Sequence, residues 1–338
     1  MPDTISGFSD LGGANMAHAM GRFLKNADAE NTTARYATVF ELPQHMGDTL
    51  KLRRYFELDI ADTPLSEFHN PTPIIPTYED VDIVVREYGA TAIITKKVVN
   101  MHQDPIGQIL SDASITQFAR TSQRVDFNAL KAGSNVYYAG GVTSRGSVTT
   151  ALAKADIQRV VRQFNKDGAT PIKKRIKAGL GFNTEPVEQA YVAFCHTDLR
   201  QDIEALEGFV PVHEYADAGT ADPLELGKCA GVRFILHREA PIWAASGASS
   251  ASFLVNGEPV TAAASCDVYP IMVISLNSWT RVPLAGQHTV KPILLNPKES
   301  HSDPTGRTGY IVWTAHLAAG ITNDDWVARI EVPCSDLG

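Results

Sequence analysis

From residue 49 onward the chain alternates. In TLKLRRYFEL, residues 49–58, Leu50, Leu52, Phe56 and Leu58 take the even positions, while Lys51, Arg53, Tyr55 and Glu57 take odd ones. A period of two puts the apolar set on one face of a strand. YEDVDIVVREYGATAIIT, residues 78–95, repeats the pattern, with Val81, Ile83 and Val85 on one face and Asp80, Asp82 and Arg86 on the other. The first segment is basic (Lys51, Arg53, Arg54) and the second acidic (Glu79, Asp80, Asp82, Glu87). Opposed charges favour one register, so the two segments predict the arms of a long hairpin. Between them lies TPLSEFHNPTPIIPTYED, residues 63–80, with four prolines in eighteen positions. Proline fixes φ near about −65° and removes a backbone donor, which predicts a stiff, extended tip.

The period then changes. In residues 105–133, Ile106, Ile109, Leu110, Ala113, Phe118, Val125 and Leu130 line one helical face, with Pro105 suited to a first turn and Gly133 to a C-terminal cap. Such a helix would be about 38 Å long, a spine for the domain around it. KADIQRVVRQFNKDG predicts a second helix ended by Gly168. QAYVAFCHTD is a strand leading to a helix start at Asp198, and GVRFILHR, SFLVNG, DVYPIMVISL and the long segment from Gly309 supply further strands. Residues 1–46 are small, polar and Gly-rich, with one helix expected over residues 14–29, and have the character of an arm. The order of elements predicts a mixed α+β chain.

Composition narrows the function. With 338 residues and 44% hydrophobic positions the chain can bury a substantial core. Its longest apolar runs fall far short of the roughly 20 residues of a spanning helix, and the N-terminus lacks the pattern of a secretory signal. Folding in the cytoplasm, without a membrane, is expected. Cys195, Cys229, Cys266 and Cys334 have neither zinc nor disulfide spacing and are expected to be free thiols. A net charge of −8 argues against a broad nucleic-acid grip. The one concentrated basic patch, Lys173, Lys174, Arg175 and Lys177, would face either phosphates or another subunit.

Local catalytic motifs are missing. AGGVTSRGS, residues 139–147, lacks the Lys-Ser/Thr of a phosphate loop and predicts a turn. There is no HExxH pair and no GxSxG elbow, and Cys195 and His196, adjacent on a strand, point to opposite faces. No cofactor or metal is expected. An active site assembled from distant segments, around His196 or His213, is the remaining enzymatic reading.

Seven segments in one order carry a resemblance: LKLRRYFELDIADTPLSE, EYGATAIIT, NVYYAGG, RVVRQFNKDGATPI, AYVAFCHTDLRQDI, VHEYADAG and ELGKCAGVRFILHREAPIW. The chain resembles the major capsid proteins of the phage N-four type over residues 47–243, and again at DVYPIMVIS and from Gly309. That resemblance implies the tailed-phage capsid fold first seen in phage Hong Kong ninety-seven. It divides the chain into an N-terminal arm (1–46), an extended hairpin loop (47–97), a peripheral domain (98–135 and 293–338, spine helix 105–132) and an axial domain (136–292).

The function it implies is self-assembly into pentamers and hexamers of an icosahedral head around double-stranded DNA. Portal, scaffold and decoration proteins would be partners, the DNA contact would be weak and non-specific, and the product a virion assembled in the host cytoplasm. The expected intersubunit contacts are Arg53, Arg54, Glu57 and Glu67 on the outgoing arm, Asp82, Arg86 and Glu87 on the return, and the apolar tip residues Phe68, Ile74, Ile75 and Tyr78. A cellular nanocompartment shell of the same fold is the alternative.

Overall fold

The computed structural model describes residues 32–58, 60–62, 64, 73–97, 106–172, 189–214, 224–250, 252–259, 264–284, 293–295, 297–299 and 304–336. The helix expected over residues 14–29 lies outside them. After a 3-10 turn at Thr33–Tyr36 come strands β1 (Thr38–Val39), β2 (Thr49–Tyr55), β3 (Tyr78–Val84) and β4 (Arg86–Thr95). Helix α1 (Ile106–Lys131) is followed by β5 (Val136–Tyr138), α2 (Lys154–Lys166), β6 (Tyr191–Cys195), the short α3 (Arg200–Glu204) and β7 (Val210–Pro211). The remainder is β8 (Glu225–Cys229), β9 (Val232–Leu236), β10 (Ser249–Ser250), β11 (Ala264–Ser265), β12 (Val268–Ile274), β13 (Trp279–Pro283), β14 (Ile293–Leu295), β15 (Thr308–Ile321) and β16 (Val327–Pro333). The α+β class expected from the sequence holds, and the spine helix falls within one residue of its expected bounds at each end.

One sheet has seven strands in the order β5-β16-β12-β6-β9-β8-β7. An inner strand of it, β12 (VYPIMVI), is buried along its whole length. Tyr269, Ile271 and Val273 pack with Ile157, Val160 and Phe164 of α2 and with Leu199 and Ile203. Met272 and Ile274 point the other way, onto Phe127 and Leu130 of α1 and onto Trp279. Helices cover both faces, so the strand is a continuous apolar run instead of an alternating one. Gly168, at φ 68°, stops α2 as its position predicts. Asp198, expected as a helix cap, instead accepts a hydrogen bond from the Tyr269 hydroxyl at 3.0 Å, and His196 Nδ1 caps the turn by accepting from the Asp198 N–H.

The second sheet is organised around β15, 14 residues long. β4 pairs along one edge, from Thr308↔Thr95 to Leu317↔Arg86, while β14 and then β13 pair along the other. Ile115 and Phe118 of α1 pack on Trp313, Ala315 and Leu317, and the Trp313 indole N–H donates to Gln117 at 3.1 Å. On the opposite side the hairpin base, Leu50, Leu52, Val81, Ile83 and Val85, packs on Val282 and Ala318. The returning arm, continuous in its sequence pattern, breaks at Val85, whose N–H donates to Asp48 O at 2.8 Å. β3 therefore stays in the hairpin and β4 enters the β15 sheet.

The sheets do not follow the sequence boundary at residue 292. β13, N-terminal to it, pairs with β15, whereas β16, C-terminal to it, pairs with β12 and β5. The chain crosses between the sheets three times, from β4 to β5, from β12 to β13 and from β15 to β16, and charged contacts secure the last crossing. Glu331 of β16, fully buried, accepts from Arg145 at 2.6 and 2.8 Å and from Arg329 at 2.9 Å. Arg329 also donates to the carbonyl of Lys131 at the end of α1, and Arg145 lies 3.7 Å from the Trp243 ring centroid. At the arm, Thr33 donates to the buried Asp126 of α1 at 2.6 Å, and burial pushes that carboxyl up despite Arg281 nearby. All four cysteines are free, as expected, and all are buried.

Removing the shared acceptor, Glu331→Ala, strands two guanidiniums and should destabilise the chain by about 3 kcal/mol in urea unfolding. A second expectation concerns pH. His237 packs on Phe127 and accepts from the Glu239 N–H at 3.1 Å, and burial lowers its pKa to about 4. The unfolded chain takes up that proton near about 6.5, so it binds more protons between the two values and stability is lost as the pH falls through that window. Going from pH 7 to pH 5 should cost about 2 kcal/mol through this group alone. His237→Asn keeps an acceptor for Glu239 and should lose correspondingly less stability over the same range.

Candidate interaction surface

The hairpin is a separate two-stranded sheet, β2 with β3, in register from Thr49↔Val84 to Tyr55↔Tyr78. Each basic residue faces an acidic one. Lys51 lies 3.4 Å from Asp82, Arg53 grips Asp80 through two hydrogen bonds of 2.7 and 3.1 Å, and Arg54 meets Glu79 at 2.9 Å. The Arg53 guanidinium holds the Asp80 carboxyl below the usual carboxylate range and sits 4.1 Å from the Tyr78 ring centroid. Tyr55 and Tyr78 meet with ring centroids 5.9 Å apart. These pairs define register and stiffness more than they stabilise the fold.

The apolar face of the hairpin outruns its cover. Leu50 and Leu52 are half-buried at the base, but Phe56, Leu58 and Ile60 are 45%, 60% and 90% exposed. On the return side Ile74, Ile75 and Tyr78 are 52%, 83% and 53% exposed. Large apolar side chains gathered and exposed on one element are the usual sign of a candidate interaction surface.

Of the expected contact residues, Arg53, Arg54 and Asp82 are engaged in cross-strand ion pairs within the hairpin. Glu57, Arg86 and Glu87 are exposed, with no ion pair among the described residues. Ile74, Ile75 and Tyr78 are uncovered, whereas Glu67, Phe68 and the basic patch Lys173, Lys174, Arg175 and Lys177 lie outside the described residues. Leu58 and Ile60 continue the alternation of β2 and belong to the same surface. Arg124 was the other residue sequence reasoning passed over: it is exposed on α1 across from Arg86, and nothing in a single helix pattern pairs those two positions.

The histidines considered for catalysis do not meet. His196 is buried, with its ring between the Arg238 carbonyl at 3.1 Å and Asp198. His213 is exposed, 4.0 Å from Glu214. AGGVTSRGS forms two 3-10 turns with Gly140 and Gly141 at positive φ, a conformation suited to a tight connection. No group of three or more metal-ligating side chains occurs among the described residues, and none of their helices is long and apolar enough to cross a membrane.

No family model matches the chain, and no curated protein matches it in sequence. Solved structures do. The capsid of Ralstonia phage GP4 aligns with a TM-score of 0.63 at 11% identity, covering 89% of this chain and 87% of that one. The head structure of Helicobacter pylori bacteriophage KHP40 gives 0.59 at 11% identity, covering 89% and 88%. The capsid of cyanophage P-SCSP1u gives 0.54 at 11% identity over 88% and 86%. The chain therefore has the fold of these phage capsids, the Hong Kong ninety-seven-like fold.

Because Ile74 and Ile75 touch little within their own chain, Ile74→Ser combined with Ile75→Ser should change the unfolding free energy of the unassembled protein by less than about 0.5 kcal/mol. A larger drop in urea unfolding would mean that the pair packs within the chain.

Proposed function

We propose that the chain is the major capsid protein of a tailed double-stranded DNA bacteriophage, assembling through pentamers and hexamers into an icosahedral head. The observation that carries this reading is the hairpin: a charge-locked ribbon that presents an uncovered apolar row on a chain with the capsid fold over nearly nine tenths of its length. A shell protein's chemistry is association, repeated around closed symmetry axes by heterologous contacts. The free edges and apolar face of β2 and β3 suit a neighbour's surface.

In this reading residues 1–46 are the arm and 47–97 the extended loop. Residues 98–135, which carry α1, and 293–338 form the periphery, and residues 136–292 form the axial part. Portal, scaffold and decoration proteins are the expected partners, with packaged DNA held only weakly, and the virion is the final location. Within the fold, the sequence resemblance favours the phage N-four type.

Electron microscopy of the purified, overexpressed protein should show closed shells, and a strictly monomeric protein under varied salt and concentration would sink the reading. Arg54→Glu places two carboxylates opposite each other near the end of the ribbon. It should lower particle yield severalfold in sedimentation while leaving the subunit's unfolding midpoint close to that of the parent. Normal yield would refute a role for this part of the hairpin in assembly.

A further inference from the structure

SFLVNGEP, residues 252–259, contains the one Asn-Gly dipeptide of the chain, Asn256–Gly257. Asn-Gly is the dipeptide most prone to lose ammonia spontaneously, because glycine has no side chain to obstruct attack by its own nitrogen on the asparagine amide. In that reaction the Gly257 nitrogen bonds to Asn256 Cγ, its proton departs with the side-chain nitrogen as ammonia, and a cyclic imide closes. Water then opens the ring at either carbonyl, leaving aspartate, or isoaspartate with the backbone routed through the side chain. Both residues are exposed, so water has access.

The turn holds the reacting atoms apart. Val255 and Glu258 exchange both backbone hydrogen bonds, at 2.9 and 3.1 Å, and Asn256 and Gly257 between them have φ of 52° and 76°. A two-residue hairpin loop with both φ positive is a type I′ turn. As the mirror image of type I, it sets ψ of Asn256 at about 30°. At that angle the Gly257 nitrogen lies on the far side of the Cα–C bond from Cβ, and no rotamer of Asn256 brings Cγ within bonding distance. Ring closure requires the Asn256–Gly257 peptide to swing round.

Asp267 opposes that swing. Its carboxylate, 1% exposed, accepts the Ala245 N–H on Oδ1 and the Gly257 N–H on Oδ2, each at 2.8 Å. Its own N–H donates to Leu254 O at 2.9 Å, and the Leu254 N–H donates to Cys334 O at 3.0 Å, just past the end of β16. The turn is therefore fastened to the seven-stranded sheet, and swinging the peptide leaves a buried carboxylate oxygen without its donor. The same negative charge keeps the proton on the nitrogen that must lose it. We propose that Asn256 is a latent deamidation site held shut by Asp267, reacting only when the turn lets go of that carboxylate. The change is one-way: isoaspartate lengthens the backbone of a two-residue loop, and either product sets a second carboxylate near Asp267. This inference goes beyond the shell reading and does not depend on it.

The test holds purified full-length protein for weeks in mildly alkaline buffer, folded and in urea, and follows the peptide that contains Asn256 by mass spectrometry. The folded parent should convert at least about tenfold more slowly than the unfolded chain. Asp267→Asn offers one carbonyl oxygen where two carboxylate oxygens each accept a backbone N–H, and when folded it should convert severalfold faster than the folded parent. A second measurement does not require that variant to fold: in residue-resolved hydrogen exchange of the folded parent, the Gly257 amide should exchange at least about tenfold more slowly than in urea. Equal conversion in folded and unfolded parent, no acceleration in a folded Asp267→Asn, or an unprotected Gly257 amide would each overturn the inference.

Discussion

One strand carries the arrangement. β15 pairs with β4 along one edge and with β14 and β13 along the other, while α1 packs on one face and the base of the hairpin on the opposite side. The long helix α1, the hairpin base and the strands beside β15 are therefore positioned by a single backbone, and β15 turns through Asp324–Trp326 straight into β16 of the seven-stranded sheet. A displacement of β15 would be felt in every one of these layers, because close-packed interiors transmit strain instead of absorbing it. The Arg145–Glu331–Arg329 cluster reinforces the same junction by tying β16 to the end of α1.

The hairpin obeys a different constraint. It has too little apolar cover to be stabilised by its own chain beyond Leu52, yet its register is held by complementary charges at successive pairs. A ribbon already ordered before it meets a partner loses less entropy on docking than a loose loop would. Charge pairing along the ribbon thus gives way to apolar exposure beyond it, and Arg54, on the apolar face but paired with Glu79, stands at the boundary between the two.

Much of this was legible from periodicity. The spine helix, α2 and its glycine stop, the hairpin register and its charge pairing all follow from local patterns in which each residue's neighbours are known. What stayed hidden depends on distant partners. Val85 sits inside an unbroken alternating run, and only its bond to Asp48 and the competing ladder with β15 divide β3 from β4. The pairing of β13 with β15 and of β16 with β12 and β5 joins strands that no local pattern links, and the Glu331 cluster joins positions 186 residues apart. The cap expected at Asp198 gave way to a tertiary hydrogen bond from Tyr269, which no local signal announces. The basic patch and much of the tip were legible as composition and lie outside the described residues.

The four cysteines have a last consequence. Each is buried and unpaired, and burial pushes the thiols of Cys195 and Cys334 well above their ordinary range, that of Cys334 to about 12. The thiolate is the species that oxidises and exchanges, so these sulfurs are chemically silent. The chain therefore gains no disulfide at these positions on passing from reducing to oxidising surroundings, and its durability comes from packing and charge.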